Sequence, residues 1–192
     1  MSYTLIGSTT SPYVRKIRLC LHDKITYEFK TVNYMEKSDA EYLKSVNPIN
    51  KIPILIDRDQ PIYDSRVIYN YLTKKYGWTH LTIPEENILS AIDAALDTSI
   101  NIFSLKRGGL DTSIPNSYVT RQMERIPLLM NFISPWAATS EEWDFLTMSL
   151  YSYLDWANFR EQLDISAYPD MKNFLEKFKH SPGVEETKIV VI

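Results

Sequence analysis

Apolar residues recur with two different periods along this chain, and the change of period divides it. Up to Tyr76, short apolar runs alternate with helical stripes. Tyr3 to Ile6 predicts a first strand. Ser11 before Pro12 reads as an N-cap and first helical position, opening a helix to about His22. Val14, Ile17 and Leu21 form its core face, with Arg15 and Lys16 on the exposed side. Tyr27 to Val32 predicts a second strand, and the strand–helix–strand order predicts parallel pairing. Ser38 to Val46 predicts a short helix. Ile54 to Ile56 and Ile62-Tyr63 read as strands around the polar turn Arg58-Asp59-Gln60. Asp64 or Ser65 then caps a helix with Val67, Ile68, Tyr71 and Leu72 at its apolar positions, ending near Tyr76-Gly77.

Gly77 to Pro84 has no period and ends in proline, so a linker is placed at 77–85. From 86 to 192 the pattern is helical. Ile88, Ile92, Ala95, Ser99 and Phe103 mark one long face, broken at Lys106-Arg107-Gly108-Gly109. A second helix spans Asn116 to Phe132, with a kink expected at Pro127. A third runs Glu141 to Trp156, with Leu146, Leu150 and Leu154 inward, and a last one Asp170 to Lys179 before Pro182-Gly183. Ile189 to Ile192 is an apolar tail without a readable role.

Composition narrows the partners. The chain has 192 residues, 44% of them hydrophobic, which suits one or two domains with a sizeable core. A formal net charge of −3 gives no basic field, so nucleic acid is not an expected partner. Cys20 stands alone, which excludes an internal disulfide and suggests a reducing compartment. No apolar run has the length of a membrane span and Met1-Ser2-Tyr3-Thr4 is not a signal sequence, so a cytoplasmic location is expected. His22, His80 and His180 lack ligand spacing, and no metal is expected.

Two stretches carry candidate chemistry. Pro53 directly before a strand suggests a cis Ile52–Pro53 bond, which would turn the peptide groups of Ile52 toward an extended ligand. Asp64-Ser65 at a helix start presents N–H groups, a hydroxyl and a carboxylate together, a set suited to a zwitterionic amino-acid head. Read alone, both also suit a proline-led strand and a plain helix cap. The run Asn47-Pro48-x-x-Lys51-x-Pro53, the strands after it, Asp64-Ser65, and Ser11-Pro12-Tyr13-Val14-Arg15-Lys16 stand in one order. That combination resembles the glutathione transferase superfamily over residues 3–76.

The resemblance implies an α/β thioredoxin-like N-terminal domain at 1–76 followed by an all-α C-terminal domain at 86–192. It implies glutathione as co-substrate, no permanently bound cofactor, a small hydrophobic electrophile as second substrate, and a homodimer. Ser11 falls where the family places its active serine or cysteine, with Thr9 and Thr10 as rivals for the sulfur contact. Lys51, Ile52, Pro53, Asp64 and Ser65 fall on the glutathione-binding positions, and Tyr13, Phe103 and Arg107 could line the second-substrate pocket. Family members also open the central helix of the second domain with Ser or Thr three residues before an Asp. Here Asp144 is preceded by Glu141 at that place, with Ser140 one residue earlier, so the box is imperfect. Serine instead of cysteine at position 11 argues against mixed-disulfide chemistry, and Cys20 reads as a small core side chain. The alternatives on the same fold are a non-catalytic, stringent-starvation-like regulator and a maleylacetoacetate-type isomerase, whose usual Ser-Ser-Cys run is Thr9-Thr10-Ser11 here.

Overall fold

The computed structural model describes residues 3–114 and 116–191, so the readings placed on Met1, Ser2 and Ile192 lie outside it. The chain divides into two compact units, one of Met1–His80 with His180–Ile192 and one of Leu81–Lys179.

The first unit runs β1 (Tyr3–Gly7), α1 (Pro12–Leu21), β2 (Tyr27–Thr31), α2 (Lys37–Val46), β3 (Ile54–Asp57), β4 (Gln60–Tyr63) and α3 (Ser65–Tyr76). The strand order is β2-β1-β3-β4, parallel between β1 and β2 and antiparallel elsewhere. Leu5, Ile6, Ile54 and Leu55 are fully buried, which makes β1 and β3 the central strands. The polar sequence of β2 and the proline in β4 suit the two edges. The β3–β4 turn is only Arg58-Asp59, because Gln60 already pairs with Asp57. α1 packs on α3 through buried faces that include Ile17, Leu21, Ile68 and Leu72. Val67, expected on the apolar face of α3, is exposed instead, whereas Ile68 and Leu72 one and five residues on are buried. Gly77 ends α3 in the left-handed conformation at φ 67°.

Segment 180–191 belongs to this unit, not to the helical one assigned to 86–192. The reason lies on α1, where Arg15 and Lys16 are buried rather than exposed. Arg15 donates from Nη2 to the Val184 carbonyl at 3.2 Å and from Nε to the Thr187 hydroxyl at 3.4 Å. Arg18 Nη2 reaches the Glu186 carbonyl at 2.8 Å. Carbonyls of this segment therefore replace the water that the sequence pattern assigns to that face.

The second unit holds α4 (Ile83–Arg107), α5 (Ser117–Thr139), α6 (Phe145–Phe159), a 3₁₀ turn at Ile165–Ala167 and α7 (Pro169–Phe178). α4 starts inside the expected linker, where the Glu85 carboxylate accepts from the Thr82 N–H and hydroxyl. By length and composition α4 could cross a membrane, contrary to the expectation that no run is long enough. Its buried face, with Leu89, Ile92, Ala95, Leu96 and Ile102, packs on α5 and α6. α5 continues past Phe132 through both Pro127 and Pro135. Both prolines lie on the exposed side, where water can satisfy the carbonyls they orphan, while Val119, Ile126, Met130, Ile133 and Ala137 hold the other side in the core. α6 starts at Phe145, not Glu141. Its box is reversed: Asp144 is the cap, accepting from Thr147 N at 2.9 Å, and Thr147 Oγ1 accepts from Asp144 N at 2.8 Å. Buried on nearly every side, α6 is the centre of this unit. The architecture is the thioredoxin-like α/β domain plus all-α domain that the resemblance implies.

Candidate active site

Register alone brings three stretches to one end of the sheet. Ile6 pairs with Ile54, and Ile54 pairs with Tyr63. The chain therefore leaves β1 through residues 7–11, enters β3 through 51–53 and leaves β4 through 64–65, all at the same end. These hold Thr9, Thr10, Ser11, Lys51, Ile52, Pro53, Asp64 and Ser65.

The first stretch turns tightly because Gly7 has no side chain. A Cβ there would stand 2.5 Å from Val14 Cγ2, so the first turn of α1 presses against the end of β1. Ser8 and Thr10 hydroxyls pair at 3.0 Å, and Ser11 N donates to the Ser8 carbonyl at 3.2 Å. The three candidate hydroxyls are then used differently. Thr9 Oγ1 donates its proton to the Val190 carbonyl at 2.6 Å. Thr10 is held by Ser8. Ser11 Oγ accepts the Val14 N–H at 3.3 Å as the N-cap of α1, and among the described residues its own proton has no acceptor. Capping and donation outward are therefore compatible at Ser11.

The second stretch is braced by Asn47, which is 1% exposed. Its Nδ2 donates to the Lys51 carbonyl at 2.8 Å and its Oδ1 accepts from Ile49 N at 2.9 Å. Asn50 takes a left-handed φ of 55°, and the Ile52–Pro53 bond is cis. Ile52 and Pro53 are buried while Lys51 is exposed. In the third stretch Asp64 holds φ at 77° and ψ at 132°, an unfavourable backbone for a residue with a side chain. Its carboxylate accepts from Arg66 N at 2.9 Å, and Ser65 is 4% exposed at the first position of α3.

The second-substrate candidates are divided. Tyr13 lies on α1, with Lys16 Nζ 5.7 Å from its ring. Phe103 and Arg107 belong to the helical unit. There Phe103 meets Trp156 edge-on at 5.6 Å with Arg160 over its ring, and Arg107 ends α4 exposed. Cys20 is buried, and burial pushes its thiol up to about 12, which leaves it unreactive. Sequence reasoning missed three supports: the close approach at Gly7, the bracing by Asn47 and the segment over α1. Asn47 carried a signal in its motif. The segment carried none, because three of its contacts are made by main-chain carbonyls and the fourth by a lone threonine hydroxyl.

Residues 5–82 match the family model described as glutathione S-transferase, N-terminal domain. Glutathione S-transferase U18 of Arabidopsis thaliana is 26% identical over 94% of this chain and 87% of its own length. A probable maleylacetoacetate isomerase of Caenorhabditis elegans is 23% identical over 88% of this chain and 84% of its own. Among solved structures, a glutathione S-transferase of Methylobacterium radiotolerans, crystallised with glutathione sulfonate, superposes with a TM-score of 0.84. It is 19% identical and covers 100% of this chain and 98% of that one, a likeness that establishes the fold.

Proposed function

We propose that this chain, whose residues 5–82 match the glutathione S-transferase N-terminal domain, is a glutathione transferase acting on small hydrophobic electrophiles. The observation that carries this reading is the convergence of loop 8–11, Ile52-Pro53 and Asp64-Ser65 at one end of the sheet. An extended tripeptide laid across that end meets a different chemistry at each part. Its γ-glutamyl head takes the Ser65 hydroxyl, the N–H groups opening α3 and the Asp64 carboxylate. Its cysteinyl backbone takes the peptide groups of Ile52, and its glycyl carboxylate takes Lys51.

The sulfur then lies at Ser11. A free thiol has a pKa of about 8.5 and is mostly protonated at neutral pH. The Ser11 proton, donated to the thiolate, contributes about 1.5–3 kcal/mol, which is about one to two pKa units. The start of α1 adds up to about 1 kcal/mol. The thiol proton leaves to solvent, and the sulfur lone pair forms the new bond to the electrophilic carbon. A leaving group departs with its electron pair, or an added carbanion takes a proton from water. Tyr13, on the same unit as Ser11, is proposed for the electrophile site. We place the protein in the cytoplasm as a homodimer, and it needs no bound cofactor for this chemistry.

Retention on immobilised glutathione, elution by free glutathione and conjugation of an electrophile panel test the reading. Passage straight through the column would replace it with the non-catalytic regulator. The similarity to a probable maleylacetoacetate isomerase over most of the chain favours one second reading. In it the same thiolate adds to a conjugated cis alkene and is expelled after bond rotation. Isomerisation without conjugation would select it.

A further inference from the structure

The loop from α2 into β3 hangs on one side chain. Pro48, Ile49, Asn50 and Lys51 are exposed, whereas Asn47 before them is buried. Asn47 N donates to the Leu43 carbonyl at 2.9 Å, which roots the residue in α2, and Leu43 is fully buried. The Asn47 carbonyl accepts from Asn50 N at 2.9 Å, closing the turn in which Asn50 takes its left-handed φ. The side chain then spans the loop, from Ile49 N at 2.9 Å to the Lys51 carbonyl at 2.8 Å. One partner is a donor and the other an acceptor, so only one orientation of the amide makes both bonds.

The Lys51 carbonyl shares a planar trans peptide with the Ile52 N–H, and in such a peptide the two groups point in opposite directions. Holding the carbonyl toward Asn47 therefore turns that N–H away from Asn47. Among the described residues no group accepts it. Pro53, next in the chain, has no N–H with which to fix the plane. The setting of the Lys51–Ile52 peptide thus depends on the Asn47 amide.

We infer that Asn47 is a positioning residue for glutathione: it sets the Lys51–Ile52 peptide so that the Ile52 N–H meets the cysteinyl backbone and the Lys51 ammonium meets the glycyl carboxylate. The inference rests on the reading of Ile52 and Lys51 as those two contacts. A loop already held in its binding conformation spares the ligand the cost of ordering it. Asn47 acts on that half of the ligand alone, because the sulfur belongs to loop 8–11.

Calorimetry with glutathione and with its glycyl ethyl ester tests it. The ester removes the glycyl charge and keeps the rest. An exposed ion pair favours glutathione over the ester by up to about fivefold. Asn47→Ala should weaken glutathione binding about 2- to 12-fold, the effect of one hydrogen bond, and bring the ratio of the two affinities close to one. The thiol pKa, and kcat at saturating glutathione, should stay near their wild-type values. Asn47→Asp keeps the shape and the Ile49 bond but sets a carboxylate oxygen against the Lys51 carbonyl, so it should lower the ratio too and decides the matter if Asn47→Ala does not fold. Lys51→Met should bring the ratio to one with Asn47 in place. A general loosening of the fold weakens both ligands alike, so a wild-type ratio retained in the Asn47 variants would overturn the inference, and so would a thiol pKa that moves with them. A wild type that binds glutathione and its ester equally would overturn Lys51 as the glycyl contact and the inference with it. A wild type that binds neither would overturn the glutathione site as a whole.

Discussion

Gly7→Ala tests how the thiol loop is positioned. The added methyl would lie 2.5 and 2.7 Å from the two Val14 methyls and 3.2 Å from Val14 Cβ. Carbon atoms in contact prefer about 3.5–4.0 Å, so roughly 1 Å must be found. Val14 is fully buried and β-branched, with one favoured rotamer in a helix, so it cannot swing aside. The first turn of α1 must therefore retreat from the end of β1, at a cost of about 1–3 kcal/mol. In a chain of this size that lowers Tm by about 2–4 °C per kcal/mol. The retreat carries Ser11 with it, and a displacement of about 1 Å at a reacting group can lower turnover about a hundredfold. Urea denaturation gives the stability change, and glutathione conjugation gives the rate. Val14→Ala alone should cost about 2 kcal/mol through lost burial and a cavity. Gly7→Ala/Val14→Ala should then be more stable than the sum of the single changes predicts, by about 1–3 kcal/mol, with turnover partly restored. Simple additivity would refute the close contact and the positioning assigned to it.

Ser65→Ala should weaken glutathione binding by about 1.5–3 kcal/mol, read by calorimetry, with kcat nearly unchanged, because the γ-glutamyl carboxylate proposed to accept from it keeps its charge through the reaction. At the opposite end of the sheet, hydrogen bonds from Lys75 and then Tyr71 hold the Asp57 carboxyl below its usual range. A depressed folded pKa contributes stability that is present above the unfolded value of about 3.9 and lost as pH falls through the folded one. Chemical denaturation from pH 6 down to 2 should therefore show a smaller low-pH loss in Asp57→Asn than in wild type, from a lower starting stability. Sedimentation at micromolar concentration should show a dimer of the 22.4 kDa chain, and a lone monomer would contradict the proposed assembly.

Much of the first unit was legible because its signals are local. Pro12 after Ser11, Pro53 before β3, Asp64-Ser65 and Gly77 each act on their own backbone, and α1, α3 and the strands fall within a residue or two of the pattern. Helix ends in the second unit were less legible. Proline normally ends a helix, but Pro127 and Pro135 sit on a wet face of α5, and only tertiary burial of the other face decides that it continues. The start of α6 lies four residues past the one the pattern predicts because Asp144 is the cap of its box, with Thr147 as the inner residue. Arg15 and Lys16 were assigned to water because charge predicts exposure unless a partner is known. For Arg15 those partners include the Val184 carbonyl and the Thr187 hydroxyl some 170 residues away, which no periodicity reveals. For the same reason the sequence left Thr9, Thr10 and Ser11 as rivals, and the different bonds that the three hydroxyls make are visible only in the fold.

The ultraviolet absorbance of glutathione thiolate bound to the protein, followed against pH, tests the central claim most directly. The account predicts a thiol pKa well below 8.5 in the wild type and a rise of about one to two units in Ser11→Ala, with glutathione affinity little changed. A titration that does not move in Ser11→Ala would contradict it.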